Sequence, residues 1–131
     1  APLFKTVYGV ETSKVSIKAA CSNSNINSVR NTRFSSSKSE DFILQSCIET
    51  KKFSYAIIDP PREGIGVLSA KNLAKITEKG IIYISCDPTT LARDIRAFME
   101  SGFEVISVQP FDMFPNTYHV ETVVILEKKT T

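Results

Sequence analysis

The sequence predicts an α/β domain of parallel strands with helical crossovers, closed by one antiparallel hairpin. Three observations carry this. Short apolar runs rich in β-branched residues alternate with segments whose apolar residues recur at helical spacing, the pattern of successive β-α-β units. The run Ile81-Ile82-Tyr83-Ile84 is continuously apolar, as for a strand buried on both faces of a parallel sheet. Near the end, Phe103 to Val108 and His119 to Leu126 both read as strands. No helix fits in Gln109 to Tyr118 between them, so the two are antiparallel.

The 131 residues suffice for one domain with a real core. Apolar content of 42% and charged content of 23% are ordinary for a globular protein. The net charge of +2 neither demands nor excludes a nucleic-acid partner, which needs only a local basic patch. The three cysteines show no CxxC and no Cys/His metal spacing. No apolar run is long enough to cross a membrane and no signal peptide is recognisable, so a reducing cytoplasm is expected. The chain starts at Ala1, directly before a strand, which suggests a piece of something longer.

In order, Phe4 to Val10 reads as a strand ending at Glu11. Thr12 to about Asn23 is helical, with Val15 and Ala19 inward, and Thr12 or Ser13 can cap it. Ser22 to Ser28 is a polar loop, and Val29 to Ser35 a weak strand. Ser37 to Thr50 is a helix with Phe42, Ile43 and Cys47 inward. Cys21 and Cys47 are expected to be packing residues. Phe53 to Ile58 is a strong strand. Two prolines and two glycines make Asp59 to Gly66 a loop. Val67 to Lys79 is a helix carrying Leu68, Leu73 and Ile76, stopped at Gly80. After the strand Ile81 to Ile84, the residues Leu91, Ile95, Phe98 and Met99 mark a helix that Thr89 or Thr90 can cap and Gly102 can end.

Parallel strands put the ends of this reading on one edge of a sheet: Glu11, Asp59 and Cys86 each follow a strand. Ligands bind at that edge in open α/β sheets. A thiol at Cys86 meets the positive end of a helix dipole, which favours thiolate, although a buried structural cysteine fits the position as well. Glu11 suits either a ribose-binding carboxylate or an acid favourable to a helix N-terminus. Asp59 before Pro60 and Pro61 is held by rigid backbone. Glu121 lies in an otherwise apolar strand, where an inward-facing acid is desolvated and fits a catalytic base, while an outward-facing strand residue fits the position as well. Arg62 and Arg93 suit RNA phosphate or loop carboxylates, and Arg93 beside Asp94 suits a structural ion pair.

Asp59-Pro60-Pro61-Arg62, Ser85-Cys86-Asp87-Pro88-Thr89-Thr90-Leu91-Ala92-Arg93-Asp94 and Asp112-Met113-Phe114-Pro115-Asn116-Thr117-Tyr118-His119-Val120-Glu121 resemble, in order and spacing, the motifs of the S-adenosylmethionine-dependent RNA (uracil-C5)-methyltransferases. Val7-Tyr8-Gly9-Val10-Glu11 resembles that family's strand ending on the ribose-binding acid. The resemblance runs from Val7 to about Glu127. It implies a Rossmann-like methyltransferase sheet lacking the first strand and Gly-rich loop, hence the C-terminal part of a catalytic domain. It also implies S-adenosylmethionine as cofactor and tRNA or ribosomal RNA as substrate. Cys86 then matches the nucleophile and Glu121 the general base. Glu11 and Asp59 match cofactor contacts, and Arg62 and Phe114 fall to substrate binding. The family more often has Asn where Asp87 stands, so this chain places an extra negative charge beside the thiol.

The chemistry calls for those residue types. A thiolate adding to uracil C6 makes C5 nucleophilic toward a methyl donor, and a base must then remove the C5 proton. No metal is required. His119 with Cys86 suggests a thiol hydrolase only weakly. Two other classes remain open: a non-catalytic RNA- or protein-binding module derived from a methyltransferase, and an amino-methylating nucleic-acid enzyme. Arg62 after the prolines, together with Cys86, argues against the latter. Without a Gly-rich loop, this chain alone is expected to be inactive and to bind cofactor weakly.

Overall fold

Ten regular elements follow one another in a computed structural model that describes residues 2–113, 115–117 and 120–130. They are β1 (Val7–Glu11), α1 (Lys14–Ile26), β2 (Thr32–Ser36), α2 (Ser39–Ile48), β3 (Phe53–Ile58), α3 (Gly66–Ile76), β4 (Thr77–Ser85), α4 (Pro88–Glu100), β5 (Phe103–Phe111) and β6 (Glu121–Lys128). The chain divides into two compact units, residues 1–42 and 43–131.

In the first unit β1 and β2 pair in parallel, with Val7 opposite Thr32 and Glu11 opposite Ser36. Ser13 caps α1, its Oγ accepting from the Ser16 amide at 3.2 Å. The helix turns Ile17, Ala20 and Ser24 partly inward, and Ser24 Oγ donates to the Val29 carbonyl. Val15 and Ala19, expected to face inward, are exposed, Val15 by 80%. The inward stripe therefore lies about half a turn from the expected one. Cys21, expected to pack, is exposed as well. The Phe42 ring packs near Tyr8, centroids 6.3 Å apart.

In the second unit the strand order is β3-β4-β6-β5. The β3–β4 pairing is parallel, and β6 runs antiparallel to both β4 and β5. The antiparallel tail follows expectation, with β6 inserted between β4 and its own hairpin partner. Its strand starts at Glu121 rather than His119, which lies outside the described residues. On one face Ile81 pairs with Leu126 and Tyr83 with Val124, all essentially without exposure. Leu73 and Ala74 of α3 and Leu91 and Phe98 of α4 join this core, and Phe98 meets Phe103 edge-on at 6.2 Å. Ile82 and Ile84, on the other face of β4, are only partly buried, and Ile57 is 69% exposed. Within this unit, then, β4 is not buried on both faces as its apolar run suggested.

The helix expected to reach Lys79 ends at Ile76, where Thr77 turns extended and starts β4. Gly80 is a strand residue. A Cβ there lies 3.0 Å from the Leu126 carbonyl oxygen and 3.2 Å from the Tyr55 ring, so close packing across the sheet calls for glycine. At the same end of the sheet, Lys128 Nζ sits 4.5 Å from the Phe103 ring centroid and donates to the Ala74 and Ser101 carbonyls, satisfying the ends of α3 and α4. Leu68 and Met99, read as apolar helix positions, are 75% and 49% exposed.

Candidate active site

Three of the residues singled out in the sequence lie at one end of the four-stranded sheet. Parallel β3 and β4 end at Ile58 and Ser85, so Asp59 and Cys86 are the residues that follow on the same edge. The β4–β6 ladder closes with Ser85 opposite Thr122. One step outward on each strand come Cys86 and Glu121. Both are partly buried, while Asp59 is exposed. On its other side Glu121 pairs with Phe111 of β5.

The bend at Cys86 is held on both sides. Ser85 Oγ donates to the Asp87 carbonyl at 2.9 Å and accepts from the Asp87 amide at 3.1 Å. The expected caps, Thr89 and Thr90, are instead the capped residues: Asp87 is the N-cap of α4, its Oδ1 accepting from both of their amides at 2.9 Å, with Pro88 opening the helix. Asp with Pro at the next position is a strong helix start. The Thr90 amide foremost, with the Thr89 amide, the Thr90 hydroxyl and the Arg62 charge adding to it, holds the Asp87 carboxyl below its ordinary value. The extra negative charge beside the thiol is thus engaged by the helix end.

The Asp59–Gly66 loop is tied to the next turn of α4. Thr90 Oγ1 donates to the Arg62 carbonyl at 2.7 Å, and Arg93 Nη2 to the Glu63 carbonyl at 2.7 Å. The Ile65 amide donates to Asp94 Oδ2 at 2.9 Å. Asp94 has no exposed surface, and it also accepts from Tyr83 Oη at 2.8 Å and Arg93 Nε at 2.9 Å. Burial, with the adjoining Asp94 carboxylate, pushes the Tyr83 hydroxyl well above its ordinary pKa. Gly64 has φ +70°, and a Cβ there stands 2.3 Å from Asp94 Oδ2. The Arg93–Asp94 ion pair was anticipated; the role of Tyr83, Thr90 and Gly64 in it was not. A legible sign was there: Asp94 shares the inward face of α4 with Leu91 and Phe98, where a charge demands partners.

Glu11, in the first unit, ends β1. Its Oε1 accepts from the Ser13 amide at 2.8 Å and from Thr12 Oγ1 at 2.9 Å, which holds the carboxyl below its ordinary value. It is an exposed carboxylate fixed by one of its two oxygens. Arg62 is exposed in the loop. Phe114, assigned to substrate binding, lies outside the described residues.

The α/β architecture and its strand-end site define the class: the fold is that of the Rossmann-like methyltransferases. The chain superposes on the Pyrococcus abyssi tRNA (uracil-54, C5)-methyltransferase, solved with S-adenosyl-L-homocysteine, with a TM-score of 0.76 and 31% identity, covering 92% of this chain and 28% of that one. A putative SAM-dependent methyltransferase from Streptococcus mutans, 12% identical with a TM-score of 0.74 over 93% of this chain and 38% of that one, shares the fold. An uncharacterized RNA methyltransferase of Thermotoga maritima is 43% identical over 122 residues, 93% of this chain and 27% of that protein. The tRNA (uracil-5-)-methyltransferase family model matches residues 1–129, and the chain belongs to that family. It spans about a quarter of the length of such relatives.

S-adenosylmethionine is the cofactor of this class, and each unit, taken by itself, offers it a strand-end carboxylate. In the first unit Glu11 ends a strand with one oxygen held by local donors, and in the second Asp59 follows a strand, exposed beside two prolines. Such groups suit hydroxyl and amine donors. No helix among the described residues is long and apolar enough to cross a membrane.

Proposed function

We propose that this chain is the C-terminal part of the catalytic domain of an enzyme that methylates uridine C5 in tRNA or ribosomal RNA. The reading is supported chiefly by the β4–β6 register, in which Ser85 faces Thr122 and the thiol and the carboxylate come next on adjacent strands. When bound, S-adenosylmethionine supplies an electrophilic methyl group.

The chain's own residues do the rest. Cys86 Sγ forms a bond to uracil C6, and the electron pair displaced from the C5–C6 double bond makes C5 nucleophilic. Once C5 carries the methyl group, Glu121 accepts the C5 proton. The released pair re-forms the double bond and expels the Cys86 thiolate. Glu11 binds the cofactor's ribose hydroxyls and Asp59 a second polar part of it; Arg62 and Phe114 hold the RNA.

The test is Cys86→Ala in the full-length protein. Uridine C5 methylation should fall by about a thousandfold or more, in line with loss of a covalent nucleophile. Affinity for S-adenosylhomocysteine should stay within about threefold, because the thiol acts on the base and not on the cofactor. Retained methylation would remove Cys86 from the reaction.

A further inference from the structure

We propose that Asp94 is a positioning residue for the candidate active site: it fixes the Asp59–Ile65 loop, and through α4 it fixes that loop relative to Cys86. The proposal rests on the reading of Asp59 as a cofactor contact.

Loop and thiol share one anchor. Cys86 immediately precedes the Asp87 cap of α4, and the loop is attached to residues 90, 93 and 94 of the same helix. Three loop residues each give one backbone group to it: the Arg62 carbonyl, the Glu63 carbonyl and the Ile65 amide. Between them Gly64 turns back, its amide donating to the Pro61 carbonyl at 2.9 Å. Asp94 is the hub. Its Oδ2 takes Tyr83 Oη from the central strand and the Ile65 amide from the loop, and its Oδ1 takes Arg93 Nε.

The charge is what makes the hub specific. A carboxylate accepts at every site, and here each of its neighbours is a donor. An amide in its place turns an NH₂ group toward one of those donors and leaves a buried mismatch. The hub thus allows a single arrangement of strand, loop and helix. A buried carboxylate kept only for stability gains little over apolar packing. One that sets the direction of a loop gains a defined site.

The test uses the full-length protein with S-adenosylhomocysteine as probe, by calorimetry, and amide hydrogen exchange at Ile65. Asp94→Asn should weaken binding about tenfold and speed exchange at Ile65 by about tenfold, as loss of one anchoring hydrogen bond to a charged group implies. Combined with Asp59→Asn, it should weaken binding no further than Asp59→Asn alone, because both changes act through one loop. Multiplying effects in the double variant, or a lowered melting temperature with unchanged affinity and unchanged Ile65 exchange, would overturn the proposal. If Asp59→Asn alone leaves affinity unaltered, the cofactor role of Asp59 fails instead. Ile65 exchange then decides the clamp by itself, and unchanged exchange overturns it. Should Asp94→Asn not fold, Thr90→Val removes the tie to the Arg62 carbonyl, together with the longer hydroxyl contacts to Asp87, while the Thr90 amide still caps against Asp87. It carries the same expectations at about threefold size.

Discussion

Replacing Gly64 by alanine tests the clamp through stability alone. Two effects add. Alanine at φ +70° pays about 1–2 kcal/mol for the left-handed backbone. Its Cβ also stands 2.3 Å from Asp94 Oδ2, too close to remain, so the carboxylate must move. Breaking one of the two hydrogen bonds on that oxygen, from Tyr83 or from Ile65, removes about 1.5–3 kcal/mol more. The sum is about 2.5–5 kcal/mol, a large share of an ordinary domain's stability. Gly66 provides the control: it has φ +77° and nothing within 4 Å of an added Cβ. Gly66→Ala should therefore show only the backbone part, about 1–2 kcal/mol. Urea unfolding of the three proteins gives both values from their midpoints. Equal losses in the two variants would show that Asp94 yields freely, and the account of a rigid loop would fall.

Phe98 is without exposed surface and stacks edge-on with Phe103, so Phe98→Ala should lose about 3–5 kcal/mol in the same assay. Asp87→Ala should lower the melting temperature at neutral pH by freeing two helix amides, and Asp87→Asn should largely keep the cap. Because the folded-state pKa of Asp87 is depressed below about 3.8, its contribution is present at higher pH and is lost as pH falls through and below that value. The stability difference between wild type and Asp87→Asn should accordingly shrink on acidification, which melting curves taken from neutral pH down to about pH 2, below the ordinary carboxylate range, would reveal. Glu11→Ala should weaken S-adenosylhomocysteine binding roughly ten- to hundredfold, the effect of losing a charged acceptor, as read by calorimetry.

Periodicity made much of the architecture readable. The order of strands and helices, the antiparallel tail and the inward Leu73, Leu91 and Phe98 all follow from spacing and apolar runs. Local patterns failed where a long-range contact decides. Gly80 looks like a helix stop, yet it is glycine because Leu126 and Tyr55 press against it from neighbouring strands. Thr89 and Thr90 are good capping residues, but Asp87 with Pro88 is a better start just before them. Val15 is apolar at the right spacing and still faces outward. At the candidate site, Asp59, Cys86 and Glu121 could be picked out because prolines, a strand end and an acid among valines are local signals. The Tyr83–Asp94–Ile65 network could not, because its three members come from a strand, a helix and a loop that only the fold brings together.

The most direct test of the central claim is a denaturing gel of the full-length protein, carrying Glu121→Gln, after incubation with RNA and S-adenosylmethionine. With Cys86 bonded to C6 and no base to take the C5 proton, the adduct cannot resolve, and a protein–RNA band that survives denaturation should accumulate. That band should be absent when Cys86→Ala is added. A Glu121→Gln protein that releases methylated RNA at the wild-type rate, with no such band, would contradict the role of Glu121 as the base.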